Sequence, residues 1–334
     1  MRVLITGGAG FIGGNLARRL LADGHQVSVL DNLSTGFESN LDDIDVDFVV
    51  GSILDEELVT TMTAAADAVV HLAARSSVPR SLHNPMATHQ ANALGTLNVL
   101  QSAVKVGGRH VIVASSSSVY GANEELPKRE SSATRPMSPY AASKLAAESY
   151  ALAYQTSFGL PTLAFRLFNV FGPLQAAGHV YAAVIPAFVD SALRGETITV
   201  HGDGTQSRDF TNVATVCETI SSALEREVTS PDPVNLAFGS RVELNTVLAL
   251  MAERIDHPLV IENTDNRVGD VPHSQADPTL LRSLFPDVTP IDFEVGLDQT
   301  IEWMQSVIDT EQQPEIDLSN LDDVDVSSSA SLDS

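Results

Sequence analysis

An α/β fold built on a doubly wound parallel sheet is what this sequence of 334 residues predicts, and three observations predict it. Short apolar runs alternate with longer amphipathic ones through the first half. Several of those runs are apolar on both faces, as strands covered by helices on both sides must be. A glycine-rich turn, Gly7-Gly8-Ala9-Gly10-Phe11-Ile12-Gly13, joins the first run to the first helix, where such sheets bind phosphate.

Taken in order, Arg2–Thr6 reads as the first buried strand and Phe11–Ala22 as the helix after it. Gln26–Asp31, Val46–Val50, Asp67–Ala73 and His110–Ser115 read as the next four strands. A long helix is expected from about Met86 to Val106, and Ser138-Pro139 signals the start of another that runs to Phe158. Pro161–Leu167 and Val234–Phe238 add two strands. Beyond Gly172 the segments shorten and are broken by Pro and Gly, which predicts a smaller C-terminal substrate-binding domain over the carboxyl edge of the sheet. The expected division is 1–172, with a later contribution from about 213–256, for the sheet domain, and 173–212 with 257–310 for the cap. Residues 311–334 are Ser- and Asp-rich with few large apolar side chains, and read as a disordered tail.

Composition narrows the function classes. The chain carries 43 acidic and 19 basic residues, a formal net charge of −24. Removing the tail's seven acidic residues still leaves −17, so the charge belongs mainly to the folded body. Such a body repels nucleic acid and anionic membranes. Only Lys105, Lys128 and Lys144 are lysines. Dense carboxylate with little lysine suits concentrated salt, where the Debye length falls to about 3 Å at 1 M; a halophilic source is expected. One cysteine, Cys217, excludes an intramolecular disulfide. With no secretory leader pattern and no apolar run long enough to span a bilayer, the cytoplasm is the expected location.

The glycine turn has the context that gives it meaning: a strand before it, an amphipathic helix after it, and Asp31 closing the second strand. Glycine lets the backbone approach a pyrophosphate, whose charge the helix N-terminus favours. Asp31 would accept hydrogen bonds from the adenosine ribose hydroxyls and repel a 2′-phosphate, which favours NAD over NADP.

Tyr140-Ala141-Ala142-Ser143-Lys144 places a phenol and an ammonium one helical turn apart. Ser115–Ser118 close the fifth strand, where ligands of such sheets bind. Tyrosine titrates near pH ~10 and is a poor base at neutrality. A neighbouring ammonium and the positive nicotinamide are expected to depress that pKa, and a serine hydroxyl to share a hydrogen bond with the reacting oxygen. His71 and His110 read as satisfied structural histidines, since no His/Cys/Asp spacing resembles a metal site.

With these residues in view, the chain resembles the NAD-dependent epimerase/dehydratase family of extended short-chain dehydrogenases, in its UDP-hexose 4-epimerase branch. The landmarks are TGGAGFIG, VLDNLS, HLAA, NALGTLNVL, SSSSVYG, PYAASK, RLFNVFGP, GDGTQSRDFTNV and RVGDVPHSQAD, spread from Met1 to about Asp309. The resemblance implies a Rossmann fold, a bound NAD and a UDP-sugar substrate. It makes Tyr140 the acid/base on the sugar 4-hydroxyl, Lys144 its partner on the nicotinamide ribose, and Ser116 an aid to proton transfer, with Ser115, Ser117 and Ser118 left as alternatives. It assigns cofactor contacts to Gly7, Gly10, Phe11, Ile12, Gly13, Asp31, Asn32, Ser52, Ile53, Leu72, Ala73, Ala74 and Asn92. Substrate contacts fall on Ser116, Asn169, Val184, Arg208, Arg267, Asp270 and Ser274.

Two departures stand out. Ser52 replaces an aspartate that often contacts adenine, and Ala183 stands where some members carry asparagine. Sister dehydratases carry an acidic pair after the catalytic Ser/Thr, and decarboxylases a glutamate at the second position; here these are Ser117 and Ser118. The resemblance therefore implies C4 epimerisation through a transient 4-ketone. Small Ser274 implies room for a 2-acetamido group. The alternatives are a UDP-glucuronate 4-epimerase and a catalytically silent NAD-binding sensor. A homodimer through the helices near Met86–Val106 and Tyr140–Phe158 is the expectation the family carries.

Overall fold

The apolar runs become strands because each is too short for a helix and, in the central strands, covered on both sides. The structure, a computed structural model, describes residues 1–177, 183–265 and 272–310. Its main sheet contains β1 (Arg2–Thr6), β2 (Gln26–Asp31), β3 (Asp47–Val50), β4 (Ala68–His71), β5 (His110–Ser116) and β6 (Thr162–Leu167). A seventh strand, Val234–Leu236, pairs beside β6. The spatial order is β3-β2-β1-β4-β5-β6 and then Val234–Leu236, with every pairing parallel. This is the expected Rossmann arrangement, and its order reverses between β1 and β4.

Side chains sort by the period of two. On β1, Val3 and Ile5 enter one core while Leu4 enters the other. The first core is closed by α1 (Phe11–Ala22), through Leu16, Ala17 and Leu20, and by the helix Val213–Glu225. The second is closed by α2 (Glu56–Ala65), by the helix Gly95–Lys105 and by Pro139–Phe158.

One expected element differs. The helix near Met86–Val106 is interrupted. Following α3 (Val78–His83), α4 (Pro85–His89) passes into a π turn, Gln90–Leu94, before α5 (Gly95–Lys105) begins. The turn brings Asn92 inward, where its Oδ1 accepts from Arg75 N at 2.7 Å and its Nδ2 donates to Ser143 Oγ at 2.9 Å. Thr96 Oγ1 donates to the Asn92 carbonyl at 2.6 Å, tying the turn to α5. Inward polar groups of this kind are a common reason for a π bulge.

A third cluster gathers apolar side chains from the second half of the chain. Ile185, Phe188 and Val189 of the helix Val184–Leu193 meet Leu244, Val247, Leu248 and Met251 of Leu244–Ala252, with Leu297 and Met304 of Phe293–Asp309. The rings of Phe171, Phe210 and Phe293 stack within 5.9 Å of one another. Leu281 and Phe285, although late in the chain, pack with the first core under the sheet. Among the described residues no helix is long and apolar enough to cross a membrane. The expected tail, 311–334, lies outside the described residues.

The helix that presents the Tyr-x-x-x-Lys pair is α6 (Pro139–Phe158). Ser138 caps it, its hydroxyl accepting from Ala141 N at 3.1 Å, and Gly159 ends it in the left-handed region at φ 65°. Two turns below Tyr140, Glu148 meets Arg166 of β6 in a buried bidentate pair at 2.6 and 2.9 Å. Ser115 Oγ also donates to Glu148, at 2.7 Å.

Replacing Glu148 by Ala strands the Arg166 guanidinium in the core, and a loss of about 3–5 kcal/mol in unfolding free energy is expected. Denaturant titration measures it, and a loss under about 1 kcal/mol would show that the pair holds little.

Candidate active site

The glycine turn is shaped by what crowds it. Gly7 lies at φ 75°, and a Cβ there would sit 2.5 Å from Ala73 N. A Cβ on Gly13 would lie 2.3 Å from the Gly7 carbonyl oxygen. Around Gly10 only that same carbonyl, at 3.2 Å, comes near, so the backbone there is bare toward the cavity. The first turn of α1 holds no acidic side chain, and its positive end is open to an anion. Asp31 fastens the turn to β2: Oδ2 accepts from Ala9 N at 3.0 Å and Oδ1 from Leu33 N at 2.9 Å. Burial pushes its pKa up and these amides pull it back.

A cavity of about 1010 Å³ runs along the carboxyl ends of the strands. Gly7, Gly10, Phe11, Ile12 and Gly13 line one end with Asp31 and Asn32. Ser52 and Ile53 after β3, and Leu72, Ala73 and Ala74 at the end of β4, continue the wall. At the other end stand Ser116, Tyr140, Lys144 and Asn169. A bare glycine turn, an unopposed helix end and a carboxylate closing β2 fit the pyrophosphate and ribose of a dinucleotide. The Oε1 atom of Gln175 is also buried on this wall without a hydrogen-bond partner among the described residues.

Strand alternation resolves the serines that the sequence left open. Ser115 turns under the sheet to Glu148, whereas Ser116 stands with Tyr140 on the cavity wall. Lys144, almost fully buried, donates from Nζ to the Ala114 carbonyl at 2.9 Å, and burial brings its pKa down to about 8. The expected depression of the Tyr140 pKa is not what the chain's own groups produce. Burial raises it, and the Ser116 hydrogen bond opposes that rise.

Asn169 sits at φ 32°, a conformation asparagine tolerates, and its Nδ2 donates to the Asp209 carbonyl at 3.1 Å. His71 lies at the β4 end, in hydrogen bonds with Thr6 Oγ1 at 2.7 Å and Thr96 Oγ1 at 2.9 Å. Because Thr96 gives its own proton to the Asn92 carbonyl, His71 donates from Nε2 and accepts at Nδ1. Burial, with the Lys144 ammonium second, brings its pKa down to about 3.

The remaining sequence-derived residues lie elsewhere. Asn92 stands behind the wall, fixing the backbone of Arg75. Val184, Arg208 and Ser274 are not on the cavity wall. Arg208 donates to the Ser207 and Pro272 carbonyls at 3.0 Å each. Ser274 N donates to Ser207 O at 3.0 Å, which ties Ser274 to the backbone beside Arg208. Arg267 and Asp270 lie outside the described residues. Among the wall residues that escaped the sequence reading are Arg75, Arg80 and Gln175. The one signal is for Arg75, which follows closely on the carboxyl end of β4.

The model of the NAD dependent epimerase/dehydratase family matches residues 3–237. A probable UDP-glucuronate 4-epimerase of Rhizobium meliloti is 32% identical, over 91% of this chain and 96% of its own length. A UDP-N-acetyl-alpha-D-glucosaminuronate decarboxylase of Bacillus cytotoxicus is 31% identical, over 92% and 98%. Among solved structures, the UDP-N-acetylglucosamine 4-epimerase of Methanobrevibacter ruminantium M1, in complex with UDP-N-acetylmuramic acid, superposes with a TM-score of 0.86. It is 34% identical and covers 91% of this chain and 98% of its own.

The His71 shift carries a pH dependence. Below its ordinary pKa of 6.5 the unfolded chain takes up a proton that the folded chain refuses until about pH 3. Stability from this group is therefore complete above pH 6.5 and is lost progressively toward pH 3, roughly 2 kcal/mol of it by about pH 5. Urea titrations of wild type and His71→Gln should converge on acidification; a constant gap between about pH 7.5 and about pH 5 would contradict this.

Proposed function

The chain belongs to the NAD dependent epimerase/dehydratase family, with NAD as its cofactor, and we propose that within it the enzyme epimerises UDP-hexoses at C4. The observation that carries this reading is the charge of the cavity. Among the described residues that line it, the one carboxylate is Asp31, at the glycine end, far along the wall from Tyr140. Eliminating water from a sugar needs an acid beside the reacting carbons. Here the positions after Ser116 are Ser117 and Ser118.

When bound, NAD supplies reversible acceptance of the hydride at C4. Tyr140 takes the proton of the 4-hydroxyl and later returns it, and Ser116 holds the hydrogen bond that favours the phenolate. Lys144 supplies a buried cation beside them, with Ala114 holding its ammonium in place. Gly7, Gly10 and Gly13 with the α1 N-terminus would hold the pyrophosphate, and Asp31 the ribose. Asn169, Val184, Arg208, Arg267, Asp270 and Ser274 would contact the nucleotide sugar. A UDP-glucuronate 4-epimerase is the second reading, which the Rhizobium meliloti relative favours.

A homodimer belongs to the same reading. Leu82, Met86 and Phe158, on α3, α4 and α6, are 64%, 66% and 58% exposed, apolar surface that a second copy would cover. Sedimentation velocity measures it. The acidic composition supports a salt-loving enzyme, and a cytoplasmic location belongs to the same reading.

Assays of UDP-glucose, UDP-GlcNAc and UDP-glucuronate at low and molar KCl, without added NAD, test the assignment. Epimerisation of either hexose, faster in molar KCl, is expected. Tyr140→Phe should lose at least about 100-fold in rate while keeping its NAD. Turnover of the uronate alone would install the second reading, and inertness toward all three would leave a silent NAD-binding protein. Ser274→Tyr should lower the UDP-GlcNAc to UDP-glucose rate ratio by about 10-fold or more; an unchanged ratio would remove Ser274 from specificity.

A further inference from the structure

Ser118 lies on the short turn Ser117–Tyr120 that follows β5. Its backbone N–H donates to Ser116 Oγ at 3.2 Å, and its hydroxyl donates to the same oxygen at 2.9 Å. A serine oxygen offers two acceptor sites and one proton. With Ser118 supplying both donors, Ser116 is left with its own proton to give, and Tyr140 stands with it at the same end of the cavity.

We propose that Ser118 is a positioning residue that commits Ser116 to donate toward the Tyr140 oxygen, making a one-way chain from Ser118 through Ser116 to Tyr140. The inference rests on the reading of Tyr140 as the acid/base and adds a residue to it. In such a chain each donor polarises the next, so the phenolate gains more than the phenol. Proton balance is unaffected. The sugar 4-hydroxyl loses its proton to Tyr140, and both serines keep theirs. The direction depends on a group at position 118 that can donate. A carboxylate there could only accept, and Ser116 would then turn its proton away from Tyr140.

The test is a titration of the Tyr140 phenolate by ultraviolet difference absorbance. The purified NAD-bound protein is compared with its Tyr140→Phe variant, so that the other tyrosines cancel. Ser118→Ala should raise the Tyr140 pKa by about 0.5–1 unit, and Ser118→Thr, which keeps the donor, should restore it. Ser118→Cys, a weak donor of similar size, should give a smaller rise and serves if the alanine variant does not fold. The acid limb of kcat should move with the titration while KM for the nucleotide sugar stays constant. A phenolate titration unmoved in the alanine and cysteine variants, or unrestored by threonine, overturns the proposal. A shifted titration in a protein that turns over no nucleotide sugar supports the chain and sinks the epimerase reading instead.

Discussion

The buried pair between Glu148 and Arg166 is the constraint on which the site's geometry depends. It joins α6, which carries Tyr140 and Lys144, to β6, and through Ser115 it reaches β5, which carries Ser116. A second arm runs from Arg166 to the Tyr120 hydroxyl at 2.9 Å, and from there to Asn235 Oδ1 at 2.6 Å, on the outermost strand. Charges buried in this way need every partner in place, since a misplaced one costs several kcal/mol. The helix therefore has one register against the sheet. Glu148 shares a face with Tyr140 and Lys144 at successive intervals of four, so fixing one end of that face fixes the other.

Charge acts on a larger scale as well. The body repels anions, yet the cavity wall carries Arg75, Arg80 and Lys144 against one carboxylate among the described residues. An anionic dinucleotide or nucleotide sugar therefore meets a repulsive exterior and an attractive interior. Concentrated salt screens the exposed charges over a few ångströms, whereas buried ones are screened much less. The same surface that would slow binding in dilute buffer becomes nearly neutral to the ligand in brine.

Much of this was legible in the sequence because the signals are local. A glycine turn between strand and helix, an acid at the end of the next strand, and a Tyr and Lys four apart each need only neighbouring residues, and the strands formed where two-sided apolar runs predicted them. What escaped depends on distant partners. The π turn follows from Asn92 reaching Arg75 and Ser143, residues far away in sequence. Arg75, Arg80 and Gln175 became wall residues only when the strand ends converged. The fall expected in the Tyr140 pKa rests on the ammonium and the positive nicotinamide together; among the chain's own groups, depth of burial, which no spacing reveals, pushes it the other way.

The π turn at Gln90–Leu94 bears on which insertions and deletions the chain can accept. A π turn holds one residue more than an α turn, so it acts as a single-residue insertion absorbed in place. Downstream, α5 keeps its register: Thr60 meets Ser102 at 2.8 Å and Glu56 pairs with Lys105. Deleting one residue from the turn would leave a smoother helix but rotate either Asn92 or every later contact by about 100°. The length of that segment is therefore closed to change.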